Sequence, residues 1–187
     1  MNKKLLIALI GKSGSGKSTI ASRLEHRYNY VQARSFTTRP MRDDPNDALT
    51  HTFITPDQVV QYKDDIVAYN IYNGYEYFAT RQLLNDSQFY VVDKEGLIQL
   101  YKNYFDKDVL SIYINCDSSV VAKRMQERGD SDEDIMRRLQ YDAAAFEGVE
   151  DLCDFTISND ENNGVNSIVD WIDGLYKNYR VRERVIR

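Results

Sequence analysis

The chain has 187 residues, 42% of them apolar, and sets 24 lysines and arginines against 29 aspartates and glutamates, for a formal charge of −5. This length supports one domain with a real core, and the acid excess argues against bulk attraction to nucleic acid or to an anionic membrane. Two cysteines, Cys116 and Cys153, show no metal-ligand spacing and read as free thiols of a reducing compartment.

The first apolar run, "LLIALI" (5–10), falls far short of the roughly 18 residues of a membrane-spanning helix. It leads directly into a glycine-rich loop, so "MNKKLLIALIG" does not read as a signal peptide, and a soluble cytoplasmic protein is expected. Further apolar runs, "FYVVD" (89–93), "VLSIYINC" (109–116) and "DFTISN" (154–159), predict central strands, with "YVQARSF" (30–36) a weaker fifth. Helical periodicity at 18–28, 94–105, 118–128, 132–147 and 166–179 supplies crossovers between them, and Ser131 with Asp134 has the S-x-x-D form that starts the fourth. The alternation predicts an α/β fold, a parallel sheet flanked by helices. Residues 36–80 break it: all three prolines lie there among short tyrosine-rich runs, which predicts a small antiparallel insertion with one helix near 57–64. The basic end "RVRERVIR" reads as a solvated helix end.

The stretch "GKSGSGKST" (11–19) matches G-x-x-x-x-G-K-[ST] through Gly11, Gly16, Lys17 and Ser18, between a predicted strand and a predicted helix. In that setting the backbone N–H groups of 13–18, from Ser13, Gly14 and Ser15 onward, turn inward around phosphate oxygens at a helix N-terminus. Lys17 reaches the β and γ phosphates, Ser18 offers a hydroxyl to Mg²⁺, and Thr19 completes the set. The partner implied is ATP with magnesium. Asp93 closes a second apolar strand, where a P-loop protein places a carboxylate toward the magnesium or its water shell; a helix cap is the alternative, and beside the phosphate loop the site role is favoured.

A second anion site is suggested by "SFTTRPMR" (35–42), where Arg39 and Arg42 flank a proline outside any predicted helix and present forked donors suited to phosphate. At this point the sequence resembles the guanylate kinases. The resemblance runs through "GKSGSGKST", "SFTTRPMR", "YEYFAT", "VVDKEG", "RMQERG", "RRLQYDAAAFE" and "ISND", in that order along nearly the whole chain.

It implies a single P-loop kinase domain in three parts: a core (about 1–34, 81–120 and 151–187), an acceptor-binding insertion (about 35–80) and an arginine-bearing lid (about 121–150). The implied reaction moves the γ-phosphoryl of ATP to a nucleoside or deoxynucleoside monophosphate, GMP or dGMP first. By the same resemblance Arg39 and Arg42 hold the acceptor phosphate, Ser35 and Thr80 bond the acceptor base, and Asp93 faces the base, the magnesium shell or both. Arg124, Arg128 and Arg138 are the lid arginines, with Arg137 a candidate for the role of Arg138. Such arginines neutralise charge gathering on transferred oxygens and exclude water.

Three positions depart from the family. Tyr69 stands where a glutamate usually accepts from the guanine amino group, and a tyrosine hydroxyl is no substitute for a carboxylate as a pure acceptor. His51 and Phe78 replace tyrosines that usually bond the acceptor phosphate; Tyr77 and Tyr75 could stand in if the local register shifts. Altered base preference is therefore expected. Among the fourteen tyrosines, Tyr69, Tyr72, Tyr75 and Tyr77 cluster in the insertion, whereas Tyr62, Tyr101 and Tyr104 read as packing residues with hydroxyls in water. Two other readings fit parts of this pattern: a kinase of a phosphorylated sugar resembling ribose bisphosphate kinases, and a guanylate-kinase-like binding module without turnover. No basic stripe suggests nucleic acid, and a monomer or homodimer is expected.

Overall fold

The computed structural model describes residues 5–41, 47–160 and 164–179. Arg42 and the basic C-terminal run lie outside the described residues.

Five strands form one parallel sheet in the order β2-β7-β1-β8-β9: β1 (Leu5–Ile10), β2 (Gln32–Ala33), β7 (Phe89–Val91), β8 (Asp108–Asn115) and β9 (Phe155–Ser158). All six residues of β1 are buried, as a central strand covered on both faces requires. Their side chains alternate between two cores. Leu6, Ala8 and Ile10 pack with Leu97 and Leu100 of α3 (Lys94–Asn103). Leu5, Ile7 and Leu9 pack with Ile20 and Leu24 of α1 (Lys17–Tyr28) and with Ile168, Val169 and Ile172 of α7 (Val165–Asn178). Each leucine, isoleucine or valine among them contributes roughly 1.5–3 kcal/mol of burial. The expected α/β architecture is therefore present, and β1 delivers the chain to the C-terminal edge of the sheet, where α/β folds bind ligands.

The weaker predicted strand at 30–36 divides. β2 joins the parallel sheet, whereas β3 (Phe36–Thr37) enters a second sheet of order β4-β3-β6-β5 with β4 (Thr52–Phe53), β5 (Ile66–Tyr72) and β6 (Tyr75–Thr80). This insertion is antiparallel except between β3 and β4, which run parallel. Its helix spans Pro56–Asp65 in 3₁₀ form, opened by a Thr55/Gln58 capping box with proline in the first turn. Tyr62 and Phe36 from this unit close on Phe78 at 5.7 and 5.1 Å between ring centroids, which makes Phe78 the centre of the insertion's own core.

Two short helices, α2 (Arg81–Asn85) and α6 (Val149–Leu152), were not anticipated; at five and four residues they are too short to show a period. Between them in the chain, α4 (Ser118–Glu127) and α5 (Asp132–Ala145) pack on each other through Val121, Met125 and Ile135, and Ser131 accepts from the Asp134 amide at 3.2 Å as its spacing predicted. Two of the packing tyrosines bond protein through their hydroxyls: Tyr101 donates to Ser111 Oγ (2.6 Å) and Tyr104 to Asn85 Oδ1 (2.8 Å). Cys116 is buried, Cys153 half-buried, and both are free. No helix among the described residues is long and apolar enough to cross a membrane.

Candidate active site

The loop 11–16 has no room for larger residues. A Cβ on Gly11 would stand 2.6 Å from the Ile114 carbonyl oxygen of β8. Gly16, the residue before α1, has φ 95°, where side chains are strained, and a Cβ there would meet Asn159 Nδ2 at 2.3 Å. Asn159, just past β9, donates to the Ser15 carbonyl (2.7 Å), and Arg124 donates to the Asn159 carbonyl (3.0 Å) and lies 3.5 Å from the Gly14 carbonyl oxygen. Arg124 thus braces the back of the loop and does not border the cleft.

Lys17 Nζ donates to the carbonyls of Gly11 (2.6 Å) and Lys12 (2.7 Å), folded along the loop it serves. Burial lowers its pKa to about 8, while the Asp142 carboxylate partly offsets the shift. Bound phosphates would favour the ammonium, so a nucleotide seated in the loop would raise this pKa again and take up a proton. MgATP affinity should accordingly fall as pH rises through about 8. Calorimetry at pH 8.5 in buffers of different ionisation enthalpy should register proton uptake, and Lys17→Ala should abolish it; uptake unchanged in that variant would assign the proton elsewhere.

A single cleft of about 1750 Å³ is lined by the loop, the insertion and the lid together. Gly11, Ser13, Lys17, Ser18 and Thr19 border it on one side. From the insertion come Ser35, Arg39, His51 and Tyr77, with Ser35 Oγ and His51 Nδ1 2.9 Å apart and the His51 and Tyr77 rings at 5.6 Å. Arg39 is only 9% exposed and is gripped bidentately by Asp47, at 2.9 and 2.8 Å, which also holds its pKa above the ordinary value. The lid presents Arg128, Arg137 and Arg138. Asp130 pairs with Arg128 and lies 3.6 Å from Arg138, and Arg137 pairs with Asp134 at 2.5 Å.

Several predicted residues have other duties. Thr80 caps α2, its hydroxyl accepting from the Leu83 amide at 3.2 Å, and is absent from the cleft lining. Tyr69 borders the cleft, yet its hydroxyl donates to Glu76 Oε1 at 2.7 Å. The cause is register. Asn70 stands opposite Tyr77 and Tyr69 opposite Phe78 across β5 and β6, and opposed residues share a face. Asn70 therefore joins Tyr77 on one face of the hairpin, while Tyr69 shares the other with Phe78 and with Glu76, its hydroxyl's partner. Asp93 caps α3 through the Gly96 amide (2.7 Å) and accepts from Asn70 Nδ2 (2.7 Å), so the cap reading and a place in the cleft are both realised.

A family model described as an AAA domain matches residues 7–143. A guanylate kinase of Desulfitobacterium hafniense (strain Y51) is 30% identical over 173 residues, covering 86% of this chain and 84% of that protein. One from Chlorobium luteolum is 27% identical over 168 residues, 83% of each chain. The chain belongs to the guanylate kinase family. The crystal structure of guanylate kinase from Anaplasma phagocytophilum shares the fold at TM-score 0.71 and 19% identity, covering 97% of this chain and 88% of that one.

In this guanylate kinase family member three cleft residues went unread in the sequence: Asp142, Asn70 and Asp47. Asp142 Oδ2 accepts from the Ser13 amide at 2.7 Å, across 129 residues of chain. Its signal was its position four residues after Arg138, on the same face of one helix. Asn70 had alternation but no indication of which face was inward, and Asp47 had none. A magnesium ion fits the donors present: Ser18 is exposed at the start of α1 and Asp93 borders the same cleft. Mg²⁺ on nucleotide phosphates keeps several waters and needs only one or two protein oxygens.

Proposed function

We propose that the protein is an ATP-dependent nucleoside monophosphate kinase whose acceptor is a purine monophosphate, GMP or dGMP first. The observation that carries this reading is the shared cleft: one continuous space of about 1750 Å³ bordered by the phosphate loop, the insertion and the lid arginines. Single-ligand pockets usually occupy about 300–1,000 Å³, so this one suits two substrates side by side. The names of the Desulfitobacterium and Chlorobium relatives support the same acceptor.

The roles follow from position. Amides of 13–18 and Lys17 hold the donor phosphates, with Ser18 on magnesium, which when bound neutralises β- and γ-oxygens. Arg128 and Arg138 carry the charge that develops on the transferred group, and Asp130 between them keeps both guanidinia in the cleft. Arg39, Ser35, His51 and Tyr77 receive the acceptor phosphate and its sugar, and Asp93 with Asn70 reads the base edge. An amide offers both a donor and an acceptor, where a carboxylate only accepts; this relaxes the choice of base. Asn70→Ala should raise the acceptor KM about tenfold with little change in kcat, the loss of one good hydrogen bond to a ligand.

The test is ADP release coupled to a chromogenic reaction, with MgATP against ribo- and deoxynucleoside monophosphates and ribose bisphosphate. Turnover confined to one or two monophosphates supports the reading; failure with every monophosphate removes it. A phosphorylated-sugar acceptor is the second reading, favoured because the Thr80 hydroxyl expected on the base accepts from the Leu83 amide and the Tyr69 hydroxyl, at the usual glutamate position, is spent on Glu76. The retention of Lys17 and Ser18 counts against a binding module without turnover.

A further inference from the structure

We propose that Asp142 is a competitor of nucleotide phosphate carried on the lid: its carboxylate holds the Ser13 amide at the mouth of the phosphate loop, and MgATP must displace it to seat. This rests on the reading of the loop as the ATP site. Asp142 is 5% exposed, and among the described residues no arginine or lysine forms a salt bridge with it. Burying a carboxylate for one backbone amide is costly. What offsets the cost is the setting that suits a phosphate: an inward N–H, the N-terminus of α1 and the Lys17 ammonium nearby. An anion site filled by the chain's own anion cannot give the same N–H to a phosphate oxygen.

The helix that carries Asp142 is fastened on either side of it. Phe146 stacks on Tyr113 of β8 at 6.3 Å between centroids, and Tyr141 meets Tyr72 of the insertion edge-on at 5.6 Å. The contact therefore draws the helix of Asp142, the core and the insertion together. Arg138 lies four residues earlier on the same helix face, so a shift of α5 that withdraws Asp142 also re-aims Arg138, which stands 3.6 Å from Asp130. Arrival of the donor would in this way exchange an anion for a cation at the loop mouth.

A residue that merely braces the loop in its binding shape would behave in the opposite sense, and this makes the idea testable. MgATP affinity of the full chain should be measured calorimetrically at pH 7 for wild type, Asp142→Asn and Asp142→Ala. The asparagine variant preserves shape while removing the charge. Both should bind MgATP about tenfold more tightly, the change expected when one charge-assisted hydrogen bond no longer opposes binding. Unchanged or weaker binding in both overturns the proposal. Tighter binding in variants that phosphorylate no acceptor upholds it while removing the kinase reading; absence of MgATP binding in all three proteins removes both.

Discussion

Lys17→Ala should reduce acceptor-dependent ADP release at least about a hundredfold, the loss found when one preorganised donor to a developing anion is removed. The ammonium is the one lysine charge the loop itself orients, through the carbonyls of Gly11 and Lys12 at 2.6 and 2.7 Å. Water entering the space left by the side chain would screen the phosphates without holding them in line. Because those two bonds lie within the loop, the variant should still fold, with its circular dichroism and melting temperature close to wild type. Activity above a tenth of wild type would mean that the lid arginines carry the transferred charge and that Lys17 serves binding alone.

Asp47→Ala should cost about 3–5 kcal/mol of stability, the loss expected when one partner of a buried ion pair is removed and the other is left charged. Arg39 and Asp47 are 9% and 6% exposed, and the pair is bidentate at 2.9 and 2.8 Å. Without Asp47 the guanidinium keeps the Pro40 carbonyl at 2.9 Å and the face of Phe53 at 5.2 Å, neither of which neutralises it. Urea unfolding measures the effect. The double replacement Arg39→Met with Asp47→Leu should recover most of the lost stability, since a buried pair exchanged for apolar groups is close to neutral, yet it should lose acceptor binding. A loss below 1 kcal/mol in the single variant would show that water reaches Arg39 freely. On the proposed role of Arg39, the same pair would bear on the reaction, because an acceptor phosphate would meet an arginine already held by an acid.

The residues read from local pattern were those whose chemistry is local. A continuous apolar run buries on both faces wherever it falls, and "LLIALI" became the central strand with every residue covered. Loop 11–18 was legible because its glycines answer a backbone need, as Gly16 does at φ 95°, and because its lysine and serine follow at fixed spacing. Helix starts such as Ser131 were legible for the same reason: cap and capped amide lie three residues apart. By contrast, Tyr69 was placed by likeness to a family position, which carries no information about which face of a strand a residue takes; the pairing with Phe78, after a register shift near the start of β5, turned its hydroxyl to Glu76 and set Asn70 beside Tyr77.

By itself, then, the amino-acid sequence determined the α/β architecture and the phosphate-loop motif, because hydrophobic period, backbone conformation and motif spacing act over a few residues. Only the tertiary structure decided who meets whom in the cleft: Asp47 on Arg39, Asn70 on Asp93, Arg124 behind the loop, Asp142 on Ser13. These are hydrogen bonds between segments brought together by two sheets and a lid. Burial selects the partners of Asp47, Arg39 and Asp142, which it leaves no water to turn to, whereas the exposed Asn70–Asp93 contact follows from strand register.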